Sequence, residues 1–310
     1  AEVIAENCSQ PVGAEHVVMT CGAGAALNVV LKTLLNPGDE VIILTPFFVE
    51  YNFYIDNHQG IPVVVSCLDD FQPDLDAIES AINDRTRAVI INSPNNPTGV
   101  IYPEATLNKL GELLQRKEQE HMTSITVISD EPYAKISYGE QVPCIFDSIE
   151  NSVIVTSHSK DLALPGERIG YLAANPAMPV VELFMQGAIF CNRVLGFVNA
   201  PALMQRLVTK LQRSSVDSEI YRRKRDLLYN KLTELGFEMV KPGGGFYLFP
   251  KSPQEDEMEF IRLAQKYRIL LVPGSGFGAP GYFRIAYCVD DDMIERSLPL
   301  WEQLAKEAGL

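Results

Sequence analysis

The first part of the chain consists of short apolar runs that alternate with longer amphipathic stretches. The apolar runs are rich in Val and Ile, which is typical of strands buried on both faces. We predict strands at Val17–Thr20, Glu40–Leu44, Ile61–Ser66, Ala88–Asn92, Ile125–Ser129, Ile154–Ser157 and Gly170–Ala174. Helices are predicted at Ala25–Leu35, Leu75–Ile82 and Thr106–Gln119. This alternation indicates an α/β fold with a mainly parallel sheet sandwiched by helices.

The pattern changes after Cys191. A charged helical stretch extends from Glu219 to Leu235, and shorter strands separated by glycine-rich turns follow it. These strands are predicted at Phe237–Val240, Gly245–Phe249, Ile269–Val272 and Tyr282–Tyr287. Because 310 residues exceed the usual size of one domain, we predict a large domain over residues 1–212 and a smaller α+β domain over residues 213–310.

Composition and charge restrict the class of protein. Hydrophobic residues make up 46% of the chain and charged residues 21%, as in ordinary soluble proteins. A net charge of −14 would repel a phosphate backbone, so we expect no nucleic acid partner. No apolar run approaches the roughly 20 residues of a membrane span, and the acidic start is unlike a signal peptide. We therefore expect a cytoplasmic protein that does not bind membranes.

The cysteines are scattered along the chain. There are six of them, without a C-x-x-C pair and without a histidine at metal-ligand spacing. Neither a zinc site nor a disulfide framework is indicated by this pattern. We expect free, mostly buried thiols in a reducing compartment, and no metal site.

Small and aromatic residues follow the first predicted strands. In open α/β sheets, ligands bind beyond the carboxyl ends of the strands, so these residues are candidates for a site. Ala23 and Gly24 lie among small residues at the start of a helix, where backbone N–H groups favour an anion. This evidence is weak, since the segment matches neither the full G-x-G-x-x-G nor the Walker pattern. Phe48 either stacks on a planar ring or is a core aromatic.

Polar residues follow the next two strands. The segment Asn92–Gly99 contains two X-Pro steps and a glycine, which impose an extended, sharply turning loop. That loop either presents Asn96 to a ligand or serves only as a turn. Asp130 ends an apolar strand, where it either caps a turn or needs a buried partner, and Tyr133 is three residues further on.

A lysine and two arginines complete the candidate chemistry. Lys160 follows an apolar strand and the hydroxyl of Ser157, and Arg168 comes eight residues later. Taken alone, Lys160 is more often a surface lysine than a nucleophile, although lysine amines do react with carbonyl groups. A hydroxyl and a guanidinium suit a phosphate. Arg284 lies within an apolar strand, where it needs either a bound anion or a carboxylate of the chain.

Two of these segments resemble the signature segments of the class I/II aminotransferases. They are Asn96-Pro97-Thr98-Gly99 and the stretch from Ser157 through Lys160 to Arg168. The similarity extends from about Val17 to Arg284, with the motifs in the family's order. It implies the aspartate-aminotransferase-like fold type I, pyridoxal 5′-phosphate as the cofactor, and a homodimer. It also implies amino-group transfer between an L-amino acid and a 2-oxo acid by a ping-pong mechanism.

The resemblance implies a role for each candidate residue. Lys160 would be the catalytic residue, which holds the cofactor as a Schiff base and moves the substrate α-proton. The cofactor would also contact Ala23, Gly24, Ser157 and Arg168 through its phosphate, and Phe48, Asn96, Asp130 and Tyr133 through its ring. Substrate would be bound by Asn96 and by Arg284, the latter at the α-carboxylate.

Two alternatives stay open on the same scaffold. One is a C–S lyase or related lyase, and the other is an aminotransferase-like effector domain of a transcription regulator. Family members usually carry a further segment before the position of Ala1, including an arm that contributes to the substrate pocket. We therefore expect this chain to be a fragment or a variant without that arm, and its activity alone is an open question.

Overall fold

A seven-stranded sheet forms the centre of the molecule. The structure, a computed structural model, describes residues 1–310. The strands are β1 Val17–Thr20, β2 Glu40–Thr45, β3 Ile61–Ser66, β4 Thr86–Asn92, β5 Thr126–Asp130, β6 Ser152–Ser157 and β7 Gly170–Ala174. Their order is β1-β7-β6-β5-β4-β2-β3. The pairs from β3 to β6 are parallel, whereas β7 runs antiparallel to both of its neighbours. The predicted α/β fold class is confirmed.

Helices cover both faces of this sheet. They are α1 Glu2–Asn7, α2 Ala23–Leu34, α3 Glu50–Asp56, α4 Leu75–Ala81, α5 Glu104–His121, α6 Ile145–Ser148, α7 His158–Asp161, α8 Val181–Val194 and α9 Ala202–Thr209. Alternation along β2 shows the two faces: Ile42 packs in one core cluster and Ile43 in the other. None of the helices has both the length and the continuous apolar surface that a membrane span requires.

A second, antiparallel sheet lies in the last third of the chain. Its strands are β8 Tyr247–Leu248, β9 Val272–Pro273 and β10 Phe283–Ala286, in the order β8-β10-β9. Three helices pack around a third core cluster with it: α10 Ser218–Glu234, α11 Glu257–Lys266 and α12 Asp291–Ala308. Asp217 and Asp256 begin two of these helices and accept hydrogen bonds from their first-turn N–H groups.

The predicted strand at residues 237–240 is wrong. This segment belongs to no sheet, although its carbonyl at Glu238 accepts one hydrogen bond from the N–H of Lys251. Its apolar character has a different cause, because Phe237 is buried against the rings of Phe260, Phe283 and Trp301. Core packing and strand pairing both favour apolar residues, so a short run does not distinguish them.

The expectation that all cysteines are free and mostly buried is also wrong. Cys8 and Cys144 form a disulfide with Cα atoms 5.6 Å apart, although they are separated by 136 residues. The hydroxyl and N–H of Ser9 also bond to Asp147, so the segment after α1 is held against α6. Of the other cysteines, only Cys191 is buried. Tertiary packing brings the paired thiols together, and no sequence spacing indicates it.

Candidate active site

The carboxyl ends of the central strands form one side of a cavity. Asn92 and Asp130 lie opposite each other at the ends of β4 and β5, and Ser157 ends β6 beside them. The cavity has a volume of about 350 Å³. It is lined by all ten residues that the sequence singles out: Ala23, Gly24, Phe48, Asn96, Asp130, Tyr133, Ser157, Lys160, Arg168 and Arg284. The structure therefore gathers in one place residues that span more than 250 positions of sequence.

Asp130 is a buried carboxylate with one oxygen unpaired. Its Oδ2 accepts a 2.6 Å hydrogen bond from the hydroxyl of Tyr51, while its Oδ1 is buried without a partner. Burial raises the pKa of Asp130 to about 7, and the hydrogen bond from Tyr51 opposes that rise. A ligand that brings an N–H donor or a cation to Oδ1 would satisfy this oxygen.

The loop after β4 holds Asn96 through its own backbone. The Oδ1 of Asn92 accepts a 2.7 Å hydrogen bond from the N–H of Asn96. The Oδ1 of Asn95 accepts hydrogen bonds from both the N–H and the hydroxyl of Thr98. These contacts close the loop, and they leave the Asn96 side chain in the cavity. The loop is more than a turn, since its bonds fix a polar side chain at the strand end.

Arg284 reaches the same point from β10. Its Nη1 donates a 2.8 Å hydrogen bond to Oδ1 of Asn96. Its guanidinium carbon lies 4.3 Å from the ring centre of Tyr247 and 4.8 Å from that of Phe277. The Nε atom is buried and has no partner. Because no carboxylate of the chain pairs with this arginine, the arrangement favours a bound anion over a structural salt bridge.

Lys160 lies on the short helix α7, half-buried in the cavity. Its Nζ is 5.4 Å from the ring centre of Phe246 and 5.9 Å from that of Tyr133. Burial lowers the pKa of Lys160, and the charges of Arg284 and Arg168 act in the same direction. A lowered pKa increases the fraction of neutral amine, which is the nucleophilic form.

One end of the cavity is rich in hydrogen-bond donors. Ala23 and Gly24 begin α2, which has twelve residues, and Ser157 and Arg168 face its first turn. A side chain at position 22 would come within 3.0 Å of Nη2 of Arg168, so Gly22 leaves room for the guanidinium. Arg168 has a left-handed backbone, with φ of 50°, and its Nη1 donates to the carbonyl of Pro165 at 2.7 Å. Free N–H groups, a hydroxyl and a guanidinium together form an anion site.

The sequence reasoning missed several residues that line or support the cavity. They are Tyr51, Tyr54, Asn92 and Tyr247. The sequence did contain a pattern that could have indicated Tyr51 and Tyr54. Together with Phe48 they recur every third residue, so they share one side of α3 and of the residues just before it. Phe48 itself is half-buried in the cavity wall and packs edge-on against Tyr51, with ring centres 5.6 Å apart. Tyr247 carried no such signal.

The molecule has an α/β fold, and its cavity combines a donor-rich end with a half-buried lysine. The family model for aminotransferase class I and II matches residues 4–298, and the chain belongs to this family. Enzymes of the family use pyridoxal phosphate, and this chain is an aminotransferase.

Relatives and solved structures agree with this membership. A probable aspartate/prephenate aminotransferase of Thermus aquaticus is 32% identical over 296 residues, which cover 93% of this chain and 76% of that protein. A crystal structure of an aminotransferase from Eubacterium rectale is 39% identical, with a TM-score of 0.97 over 100% of this chain and 79% of that one. A Thermus thermophilus aspartate aminotransferase variant is 29% identical, with a TM-score of 0.88 over 98% of this chain and 84% of that one.

Proposed function

We propose that this chain transfers an amino group between an L-amino acid and a 2-oxo acid, with pyridoxal 5′-phosphate as its cofactor. The observation that carries the proposal is a pair of buried, unpartnered polar atoms in one cavity, Oδ1 of Asp130 and Nε of Arg284. The first is an acceptor and fits the N–H of a pyridine ring. The second is a donor and fits a substrate carboxylate. Buried polar atoms are rarely left without partners, so the chain's residues fit both ligands.

The remaining cavity residues would hold the cofactor along its length. Ala23 and Gly24 would donate backbone N–H groups to the phosphate, together with the hydroxyl of Ser157 and the guanidinium of Arg168. Asn96 and Tyr133 would bond the ring's 3′ oxygen, and Phe48 would pack on the ring face. When bound, the cofactor supplies an electron sink that stabilises negative charge at the substrate α-carbon.

Lys160 would act twice in each half of the reaction. Its Nζ would anchor the cofactor in the resting enzyme, and once the substrate amine has taken its place there, the freed Nζ would remove the substrate α-proton and return a proton. The lowered pKa of Lys160, caused first by burial, favours the neutral amine that both tasks require. Arg284 and Asn96 would orient the substrate carboxylate so that its α-carbon lies near Nζ. The 2-oxo acid formed from the first amino acid would leave before the second substrate binds, while the amino group stays with the enzyme, which gives ping-pong kinetics.

The division of the chain and its assembly are part of the same proposal. We propose that residues 1–212 form the cofactor-binding domain and that residues 213–310 form the second domain, which contributes Arg284. We also infer a homodimer. Leu183, Phe190 and Val194 recur at helical spacing on α8, and each is more than half exposed. An apolar stripe of this kind is typical of a protein interface.

A half-reaction screen tests the proposed function. The full chain is mixed with pyridoxal phosphate, and its absorbance is followed with a panel of amino acids that includes aspartate, since relatives are named for it. We expect spectral change with at least one amino acid and reversal by a 2-oxo acid. Release of ammonia and pyruvate without an acceptor would instead indicate a lyase.

Chemical trapping tests the role of Lys160 separately. Borohydride reduction should fix the cofactor on the peptide that contains Lys160, as shown by mass spectrometry. The Lys160→Ala variant should lose both the fixed label and the half-reaction, whereas Lys266→Ala, at an exposed lysine, should keep them. Label on another lysine in the wild-type chain would overturn this assignment.

A further inference from the structure

Tyr54 lies at the donor-rich end of the cavity and has no role in the function proposed above. It is on α3, is half-buried and lines the cavity wall. A side chain at Gly24 would come within 3.0 Å of the Tyr54 hydroxyl oxygen. The hydroxyl therefore lies directly over the first turn of α2, in the space that a non-glycine residue at position 24 would fill.

Two glycines at the start of α2 leave space for two polar side chains. Gly22 leaves room for the guanidinium of Arg168, and Gly24 leaves room for the hydroxyl of Tyr54, each at 3.0 Å from the position of an added Cβ. The two side chains also influence each other, because the charge of Arg168 lowers the pKa of Tyr54. A hydroxyl, a guanidinium and the N–H groups of α2 thus surround one small volume.

The Tyr54 hydroxyl is available to a ligand. Its pKa is raised, first by burial and then by the charges of Glu50 and Asp130, but no hydrogen bond within the chain contributes to that rise. The carboxylate of Glu50, one helical turn earlier, is a competing acceptor, and its Oε2 is buried without a partner. The hydroxyl therefore has two possible acceptors, an anion on α2 or the Glu50 carboxylate.

We propose that the Tyr54 hydroxyl donates a hydrogen bond to the cofactor phosphate of its own chain. The proposal rests on the proposed function, since it needs pyridoxal phosphate in the cavity. The geometry favours the phosphate over Glu50, because the Tyr54 hydroxyl oxygen lies 3.0 Å from the position of an added Cβ at Gly24, in the first turn of α2. Tyr54 is thus a binding residue that, together with Arg168, holds the phosphate at the start of α2.

Binding measurements with and without the phosphate group test this role. Dissociation constants are measured by absorbance titration for pyridoxal phosphate and for pyridoxal, in phosphate-free buffer. Inorganic phosphate is added as a competitor of pyridoxal phosphate. We expect Tyr54→Phe to weaken pyridoxal phosphate binding about tenfold, the size of one hydrogen bond to a charged acceptor. Competition by inorganic phosphate should weaken by a similar factor, and pyridoxal binding should stay within about twofold.

A matched control and three outcomes decide the question. Tyr229→Phe removes a hydroxyl from a half-buried tyrosine on α10 and should change none of these constants. Unchanged affinity of Tyr54→Phe for pyridoxal phosphate would overturn the Tyr54 proposal alone. Equal weakening for pyridoxal and pyridoxal phosphate would also overturn it, because the hydroxyl would then serve Glu50 or the ring. Failure of the wild-type chain to bind pyridoxal phosphate would overturn this proposal and the proposed function together.

Discussion

The hydroxyl of Tyr51 donates a 2.6 Å hydrogen bond to one oxygen of Asp130, and the other oxygen of that carboxylate is buried without a partner. The tyrosine thus holds Oδ2 of the aspartate in place and leaves Oδ1 for a ligand. Burial raises the pKa of Asp130 to about 7, whereas the bond from Tyr51 opposes that rise. Without a cationic ligand, the fold therefore favours the protonated acid relative to an exposed aspartate.

Asp130→Asn should change how stability depends on pH in the cofactor-free chain. An aspartate with a raised pKa contributes stability that is present below pH about 4 and is lost as pH rises to about 7. Asparagine cannot ionise and can still accept the bond from Tyr51. We compare the free energy of unfolding of the variant with that of wild type at each pH. This difference should change in favour of the variant by about 2–4 kcal/mol between pH 4 and pH 8.

Urea unfolding at several pH values measures this difference. Glu131 has a pKa raised to about 7 by burial as well, so part of the decline should remain in the Asp130 variant. Asp69→Asn, at an exposed aspartate, is the control and should follow the wild-type profile. Identical profiles for wild type and Asp130→Asn would contradict the raised pKa.

Tyr51→Phe should enlarge the pH-dependent loss of stability. A simple loss of packing would instead lower stability equally at every pH. Its hydroxyl lowers the pKa of Asp130, so its removal should raise that pKa further. The loss of stability should then begin at the same pH of about 4, which is set by the unfolded aspartate, but extend to a higher pH than in wild type and become larger. NMR titration of a labelled Asp130 carboxyl measures the pKa directly. A lower pKa in the variant would refute this account.

Arg284→Lys should weaken substrate binding more than it alters the fold. Lysine keeps the positive charge, but it cannot bond Asn96 and a carboxylate in the forked geometry of a guanidinium. We expect kcat/KM to fall by about 10²-fold, a loss of about 3 kcal/mol. Steady-state kinetics with the best amino acid of the screen measures it. Arg262→Lys changes an exposed arginine of α11 and should retain wild-type kinetics; equal kinetics in both variants would exclude Arg284 as the carboxylate ligand.

Much of the fold could be predicted because buried strands of a parallel sheet are continuous apolar runs. Val41 and Ile42 face opposite sides of β2 and both are buried, which is why the run does not alternate. The site could be predicted for a related reason: a polar residue such as Asp130 at the end of such a run is costly unless a ligand or the chain satisfies it.

The parts that the sequence did not reveal depend on contacts between distant segments. Tyr51 is 79 residues from Asp130, and its spacing from Phe48 and Tyr54 indicates a shared helix side but not a hydrogen bond to this carboxylate. The pairing of Cys8 with Cys144 likewise depends on how the segment after α1 packs on α6. Phe237 resembles a strand residue because burial in an aromatic cluster and burial in a sheet select the same side chain.

Cys144→Ser should lower stability in non-reducing buffer. The disulfide joins residues 136 positions apart, and closing so long a loop restricts the unfolded chain. We expect a loss of about 2–5 kcal/mol in the free energy of unfolding. Reducing agent should bring wild type to the level of the variant, and Cys288→Ser, at an exposed free thiol, should have no effect. A peptide map without the Cys8–Cys144 linkage would contradict the pairing.

Gly99→Ala should disturb the contact that joins the Asn96 loop to the second sheet. The carbonyl of Gly99 accepts hydrogen bonds from the N–H groups of Gly243 and Gly244, at 2.9 and 3.0 Å. A Cβ at position 99 would lie 2.5 Å from Cβ of Pro242 and 2.7 Å from the carbonyl oxygen of Gly244. The segment before β8 would have to move away, and the approach of Arg284 to Asn96 would change with it.

The matched control for this variant is Gly139→Ala. Both glycines have a positive φ, but a Cβ at Gly139 would meet nothing within 4 Å. Gly139→Ala therefore measures the backbone cost alone, about 1 kcal/mol. We expect Gly99→Ala to lose about 2–4 kcal/mol in urea unfolding, because crowding adds to that cost, and to raise KM for the amino acid several-fold. Equal losses in the two variants, with unchanged KM, would mean that the loop and the second sheet do not position each other.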